Sequence, residues 1–328
     1  MAKTEIDISV ALAAYRGGKF FEQQLISLAE QTRIPDEVVI TDDGGKLATE
    51  QTVDAMRKRF PGIEWRYYRN EEQLGVVANF AKAIALTKGQ TILLSDEDDI
   101  WLPPKVEMLT EAAQKKGAAF CNSICVNESL ERLGFTHWDL RGFPELAKRQ
   151  LNTAELRNLF FVRVPAAGHN MAFQAKFRDL LLPFPELKNC HDTWIGVMLA
   201  IGGYWTMVPQ ELTLYRIHGD NVSAPKAARG WEKFRMAKES IRNNTFAWQA
   251  DLYEAALTRW KERGEAVAAD VAASAAERIE FCRMRATLNK VLLRRIAPIW
   301  KEWRSGHYHK YGRGVENIIQ DLFLRTWW

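Results

Sequence analysis

Four acids stand side by side in "TILLSDEDDIWLPPK" (91–105): Asp96, Glu97, Asp98 and Asp99, after an apolar run and before Ile100, Trp101 and two prolines. Adjacent carboxylates repel, so such a cluster at the end of a buried strand needs a counter-charge. Mg2+ or Mn2+ meets that need: either ion prefers hard oxygen ligands, takes one or two carboxylates, and completes its shell with water and phosphate oxygens. An acid–x–acid pair on a tight turn can give one carboxylate to the ion and another to a ribose hydroxyl, which points to a nucleotide diphosphate. The plainer reading is a helix entrance, with acids favoured by the macrodipole and Pro103 or Pro104 in the first turn. That accounts for one or two acids, not four.

The elements around the cluster decide where it sits. "IDISVALAA" (6–14), "EVVITDD" (37–43), "IEWRYYRN" (63–70), "QTILLS" (90–95) and "AAFCNSICV" (118–126) read as strands. Between them lie helical patterns: Phe21, Leu25 and Leu28; a segment at 47–60; another at 74–88; then Val106, Leu109 and Ala113. This alternation predicts an α/β fold with a mostly parallel sheet covered on both faces. Ligands of such sheets bind outside the carboxyl ends of the strands. Tyr15-Arg16 follows the first strand, Asp42-Asp43 ends the second, and the four acids end the fourth, so three strands deliver polar groups to one edge.

Residues 127–225 are less regular, with Gly/Pro punctuation and a strand-like "YWTMVPQELTLYRIHG". From about 226 two long helices are expected, hinged near Gly264. The domains expected are therefore 1–225 and a helical, basic and aromatic extension at 226–328.

Three other phosphate chemistries are excluded by pattern. There is no G-x-x-x-x-G-K-[ST], since "YRGGKFF" has the wrong spacing, and no G-x-G-x-x-G after the first strand. An Asp-x-Asp phosphatase would carry its nucleophile after that strand, where "ALAAYRGG" has no acid.

"ISVALAAYRGGKFFEQQLISLAEQT", "DEVVITDDGG" and "ILLSDEDDIWLPPKVEML", followed by "GHNMAF" (168–173), "HDTWIG" (191–196) and "LYRIHGDNVS" (214–223), resemble the successive motifs of family 2 glycosyltransferases with the GT-A fold. The resemblance covers roughly residues 6–225, in order and spacing, and is greatest to the bacterial cell-surface polysaccharide branch that includes rhamnosyltransferases. It implies that Asp42 or Asp43, with Tyr15, binds the base or ribose. Asp96 and Asp98 form the Asp-x-Asp element, with Asp98 the direct metal ligand. Arg216 and His218 approach the diphosphate or its metal, and Asp192 is the catalytic base, against the alternative that it caps the helix that follows. His169, Asn170, His191 and Trp194 fall on the acceptor side. The family has an amide where Glu97 stands and Asn where Arg16 stands.

These groups suit an inverting transfer from a nucleotide-diphosphate sugar (dTDP-rhamnose or a UDP-hexose) to a glycan or lipid-linked acceptor. A metal offsets the leaving group's charge, and a carboxylate takes the acceptor's proton. Two alternatives stay open: a non-catalytic nucleotide-sugar-binding scaffold, and a sugar nucleotidyltransferase, for which "AYRGGKFF" would be a faint phosphate loop.

The net charge of +4 is unevenly spread: from Arg283 onward ten basic residues face three acids, and the preceding chain carries a net −3. The tail interleaves those cations with Trp300, Trp303, Tyr308, Tyr311, Trp327 and Trp328, a composition suited to a membrane interface. Pro298 and Gly306 are expected to interrupt it. No nucleic-acid module accompanies these residues. "MAKTEIDISV" lacks the pattern of a signal peptide and no apolar run is long enough to span a bilayer, so a cytoplasmic protein is expected, peripheral at the inner face of the plasma membrane. Cys121, Cys125, Cys190 and Cys282 form no Cys-x-x-Cys pair and read as reduced thiols.

Overall fold

The computed structural model describes residues 6–15, 18–45, 47–187, 191–219 and 231–324. Contacts divide the chain into two compact units, one of residues 1–156 and 165–225 and one of 157–164 and 226–328. The boundary drawn near 225 lies outside the described residues.

The first unit is built on a nine-stranded sheet: β1 (Ile8–Ala14), β2 (Glu37–Asp42), β3 (Glu64–Arg69), β4 (Thr91–Ser95), β5 (Ile100–Trp101), β6 (Ala118–Val126), β7 (Arg132–Thr136), β8 (Met171–Gln174) and β9 (Trp205–Arg216). Their order is β3-β2-β1-β4-β8-β6-β9-β5, with β7 added on β6. The half formed by β3, β2, β1 and β4 is parallel, as the alternation of strands and helices predicts. Beyond it β8 runs antiparallel to both β4 and β6, while β6 and β9 are parallel. The mixed half is drawn from the less regular stretch, where periodicity carried little information about direction.

Strands β1, β2 and β4 are buried on both faces, which is why they read as apolar runs without alternation. Helices α1 (Phe21–Ala29), α2 (Leu47–Arg59), α3 (Val76–Leu86) and α4 (Lys105–Lys116) make the crossovers. The expected stripes face inward: Phe21, Leu25 and Leu28 on α1, and Val106, Leu109 and Ala113 on α4, are all buried. Helices α5 (His137–Leu140), α6 (Thr153–Val162), α7 (Arg178–Leu181) and α8 (His191–Ile201) follow, and α6 from residue 157 onward is counted with the second unit.

The second unit holds α9 (Trp231–Arg242), α10 (Thr245–Glu262), α11 (Ala269–Ala286), α12 (Leu292–Arg304), α13 (His307–Lys310) and α14 (Val315–Phe323). Gly264 ends α10 with φ +70, as expected. Each of the two long helices expected here is instead two. Asn244, at φ +51, breaks the first between α9 and α10, because a short polar side chain tolerates the left-handed conformation. The second stops at Ala286, and α12 starts anew at Leu292. Pro298 does not interrupt α12: it removes one backbone donor, but the helix is held by its buried face of Arg295, Ile299 and Glu302. At the centre of this unit Asp321 accepts from Arg285 Nε at 2.7 Å and from Tyr308 Oη at 2.9 Å, and Arg295 donates to its carbonyl oxygen at 3.0 Å.

Cys121, Cys125 and Cys282 are buried free thiols, and burial pushes Cys121 up to about 11. Cys190 lies outside the described residues. Among the described residues no helix is long and apolar enough to cross a membrane.

Candidate active site

The ends of β1, β2 and β4 converge because the strands are neighbours in one sheet, and specific bonds lock their exits. Tyr15 N–H donates to Glu97 Oε2 at 2.9 Å, Asp43 N–H to Ala14 O at 2.9 Å, and Asn79 Nδ2 to both Ala14 O and Thr41 O. Asp42 is buried, accepting from Gly44 N–H at 2.8 Å and Tyr67 Oη at 2.9 Å. Asp43 accepts from Asn70 Nδ2, Leu74 N–H and Gly75 N–H at the entrance of α3. Both carboxylates thus shape the rim, and a nucleotide would meet only their remaining lone pairs.

The acidic turn is held by β9, far away in sequence. Arg216 is 1% exposed, and its guanidinium lies 4.0 Å from the ring centre of Phe20. It donates from Nε to Asp98 O at 2.8 Å, from one terminal nitrogen to Glu128 O and from the other to Gln23 Oε1, while its backbone N–H reaches Asp99 Oδ1. Every side-chain nitrogen of Arg216 already donates to the protein, so the residue braces the turn, and contact with a diphosphate would fall to its remaining N–H groups. His218 Nε2 sits 2.8 Å from Asp98 Oδ2, so the two expected metal ligands do come together.

Beneath the turn lies Lys105, fully buried in the first turn of α4, which bonds His169 O at 2.6 Å and Thr213 Oγ1 at 2.7 Å over the Trp101 ring. Burial pulls its ammonium down to about 8, against the attraction of Cys121, Asp99 and Asp96. Sequence reasoning passed over it, although a lysine at a helix N-terminus opposes the macrodipole and so signals a specific partner.

His169, expected on the acceptor side, is 1% exposed under the acids, stacked on Tyr215 at 4.7 Å and bonded through Nε2 to Ser123 Oγ. Burial, with His137 and Lys105, holds it neutral, the form that ligates metals. Asp96, Asp99 and His169 bring ligand atoms within 4.8 Å of one another, and Asp99 Oδ2 is buried with no hydrogen-bond partner. Two adjacent donor sets of carboxylate oxygen and imidazole nitrogen therefore fit a Mg2+ or Mn2+ ion.

On the other flank, Asp192 begins α8. Its Oδ1 accepts from Thr193 N–H at 2.7 Å and its Oδ2 from Arg141 at 3.1 Å, with 19% of the side chain exposed. Burial pushes this carboxyl up, but His191, Arg141 and Thr193 outweigh it and hold it below the usual carboxylate range. Asp192 is the second residue of α8 and accepts from the next residue's N–H, and its charge helps to raise Asp96. Arg141 is a partner that no motif flagged.

His191 stacks on Phe80 at 4.3 Å with Nε2 lacking a partner, and a Cβ at Gly168 would stand 2.8 Å from that nitrogen, so the glycine makes the close approach possible. Asn170 is buried and spends its Oδ1 on Ala167 N–H. Trp194 is 1% exposed and donates to Leu181 O, which places it in the core rather than on an acceptor surface. Arg16 and Asn221 lie outside the described residues.

The charges give a stability prediction. Glu97 is pushed up to about 8, chiefly by burial and then by Asp98, Asp42 and Asp96 against the Tyr15 N–H. Glu97 binds more protons in the native state between about pH 4.5 and 8, but His137, His169 and His191, whose pKa values burial lowers, act in the opposite sense up to about 6.5, so stability is expected to fall as pH rises from about 6.5 to 8. Melting of the metal-free protein should follow that slope, and Mn2+ should flatten it. A melting temperature that rises across the window would overturn this account. Asp192, lowered, acts in the opposite sense and only below the usual carboxylate range.

An α/β sheet thus gathers acids at its carboxyl edge, with a carboxylate–imidazole pair between Asp98 and His218. The chain belongs to glycosyl transferase family 2, whose profile it matches over residues 9–180. It is similar to an uncharacterized protein of Mycobacterium tuberculosis, 24% identical over 217 residues, 66% of this chain and 60% of that one. Thus the match spans less than two thirds of that relative's length. It is also similar to the dTDP-rhamnosyl transferase RfbG of Shigella flexneri, 24% identical over 64% of this chain and 72% of the other. The GT-A fold is shared with S. aureus TarS 1-349, solved in complex with UDP-GlcNAc, at a TM-score of 0.54 and 15% identity over 93% of this chain and 89% of that chain.

Proposed function

We propose that this glycosyltransferase works by inversion. It would take a sugar from a nucleotide diphosphate (dTDP-rhamnose or a UDP-hexose) and pass it to a glycan or lipid-linked acceptor in bacterial surface polysaccharide synthesis. The work would be done in the cytoplasm, peripherally at the inner face of the plasma membrane. The observation that carries this reading is Asp192, a carboxylate with 19% of its side chain exposed, oriented by the Thr193 N–H at 2.7 Å and Arg141 at 3.1 Å and held below the usual carboxylate range. A base on one side and a leaving group on the other is the arrangement of a single displacement. The similarity to a dTDP-rhamnosyl transferase supports the first donor, and the UDP-GlcNAc complex of TarS the second.

In this mechanism Asp192 takes the proton of the acceptor hydroxyl while Arg141 and Thr193 fix its orientation. Arg216 and Lys105 keep the acids in place when the pocket is empty. Asp98 and His218 would hold the metal, because an ion that retains water and phosphate oxygens needs an accessible face. Asp98 keeps 21% of its side chain exposed and Asp96 38%, whereas Asp99 and His169 are buried. When bound, the ion supplies Lewis-acid neutralisation of the diphosphate.

The test is thermal shift against dTDP, UDP and GDP with and without Mn2+ or Mg2+. A hundredfold excess over Kd should stabilise the fold by about 2.7 kcal/mol, and Asp98→Ala should remove the shift. No shift with any nucleotide plus metal would sink the proposal.

A further inference from the structure

Eight of the fourteen large apolar side chains that stand exposed among the described residues fall between Val291 and Phe323. They are arranged. On α12, Leu293, Ile296, Trp300 and Trp303 recur at steps of three and four, a single stripe along the helix, with Leu293 77% and Trp300 54% exposed. The buried face of the same helix, Arg295, Ile299 and Glu302, is separate from it. On α14, Val315, Ile319 and Phe323 form a second exposed stripe at steps of four, opposite the buried Asp321.

The polar surroundings select the occupant. Arg294, Lys301 and Arg304 each follow a stripe residue by one position, about 100° round the helix, so cations line one border of the apolar stripe. With Lys290 they are exposed and make no ion pair with the described residues. The one exposed acid on either helix is Glu316, 3.7 Å from Arg313. Neighbouring indoles at 4.7 Å, an apolar stripe and a border of unpaired cations match an interface of acyl chains and anionic headgroups.

We propose that the outward faces of α12 and α14 are a docking surface for an anionic lipid bilayer, with the Trp300–Trp303 stripe inserted and Lys290, Arg294, Lys301 and Arg304 at the headgroups. This deepens the peripheral-membrane part of the proposed function but requires neither donor nor metal, so it stands or falls separately from the catalytic reading.

The full chain is floated with vesicles of phosphatidylcholine alone or of phosphatidylcholine with phosphatidylglycerol. Binding is expected on the anionic vesicles only, and should weaken with salt. Trp300→Glu with Ile319→Glu should abolish it, and Lys301→Glu with Arg304→Glu should weaken it about thirtyfold or more, at about 1 kcal/mol per cation. The circular dichroism melt of each variant, and its nucleotide-induced shift, should be unchanged, which separates lost docking from lost folding. No binding of the wild-type chain, or binding equal in all variants, overturns the proposal. So does a wild-type dimer in solution that Trp300→Glu converts to monomer, since the face would then belong to a second copy.

Discussion

Asp192→Asn should lower kcat by about 10²–10⁴-fold while leaving donor binding intact, the range expected when a positioned general base is removed. Asparagine retains the acceptor oxygen that takes the Thr193 N–H at the start of α8, so that bond is kept while the proton acceptor is lost. The pH profile adds a second readout. Because His191, Arg141 and Thr193 hold Asp192 below the usual carboxylate range, the acidic limb of kcat/KM should lie low, with the base still ionised throughout the neutral range. Arg141→Met removes one of the cationic influences and should move that limb upward. A limb that does not move, or an Asp192→Asn enzyme of normal kcat, would reduce Asp192 to a structural residue of α8.

The second large effect is on stability. Arg216→Ala should cost about 1.5–3 kcal/mol, the range for losing hydrogen bonds made by a charged group. The guanidinium is shared among Asp98 O, Glu128 O and Gln23 Oε1, so its loss breaks three hydrogen bonds at once. Arg216→Lys should recover little, because a single ammonium cannot reproduce three donors in a planar fork. Nucleotide binding should fail with the fold rather than independently of it. If either variant melts like the wild type but loses donor affinity, Arg216 touches the diphosphate after all. Chemical denaturation with nucleotide titration distinguishes the two outcomes.

Much of the architecture is legible locally. The apolar runs of β1, β2 and β4, and the spaced apolar residues of α1 and α4, encode buried strands and one-sided helices, because the periods of strand and helix are fixed by backbone geometry. From the alternation follows a parallel sheet, and from that sheet an edge bearing Asp42, Asp43 and the four acids. Motif order carried the family as well. In these respects the chain's one-dimensional pattern was sufficient.

Tertiary structure decided which polar groups remain available for chemistry. His218 meets Asp98 across 120 residues, and the Arg216 side chain is consumed by partners as distant as Gln23. Local pattern cannot reveal this, because hydrogen-bond partners depend on how β9 is registered against β6 and on what the folded sheet excludes from water. Trp194 and His169 are buried for the same reason: a motif shows that a residue matters, but packing decides whether it faces a ligand or the core. The helices of the second unit divide at Asn244, in the left-handed conformation, and after Ala286, breaks that hydrophobic periodicity does not mark. The amino-acid sequence therefore determined the elements, their edge and the family. Folding determined which of the carboxylates, imidazoles and guanidinium groups gathered at that edge are free to act.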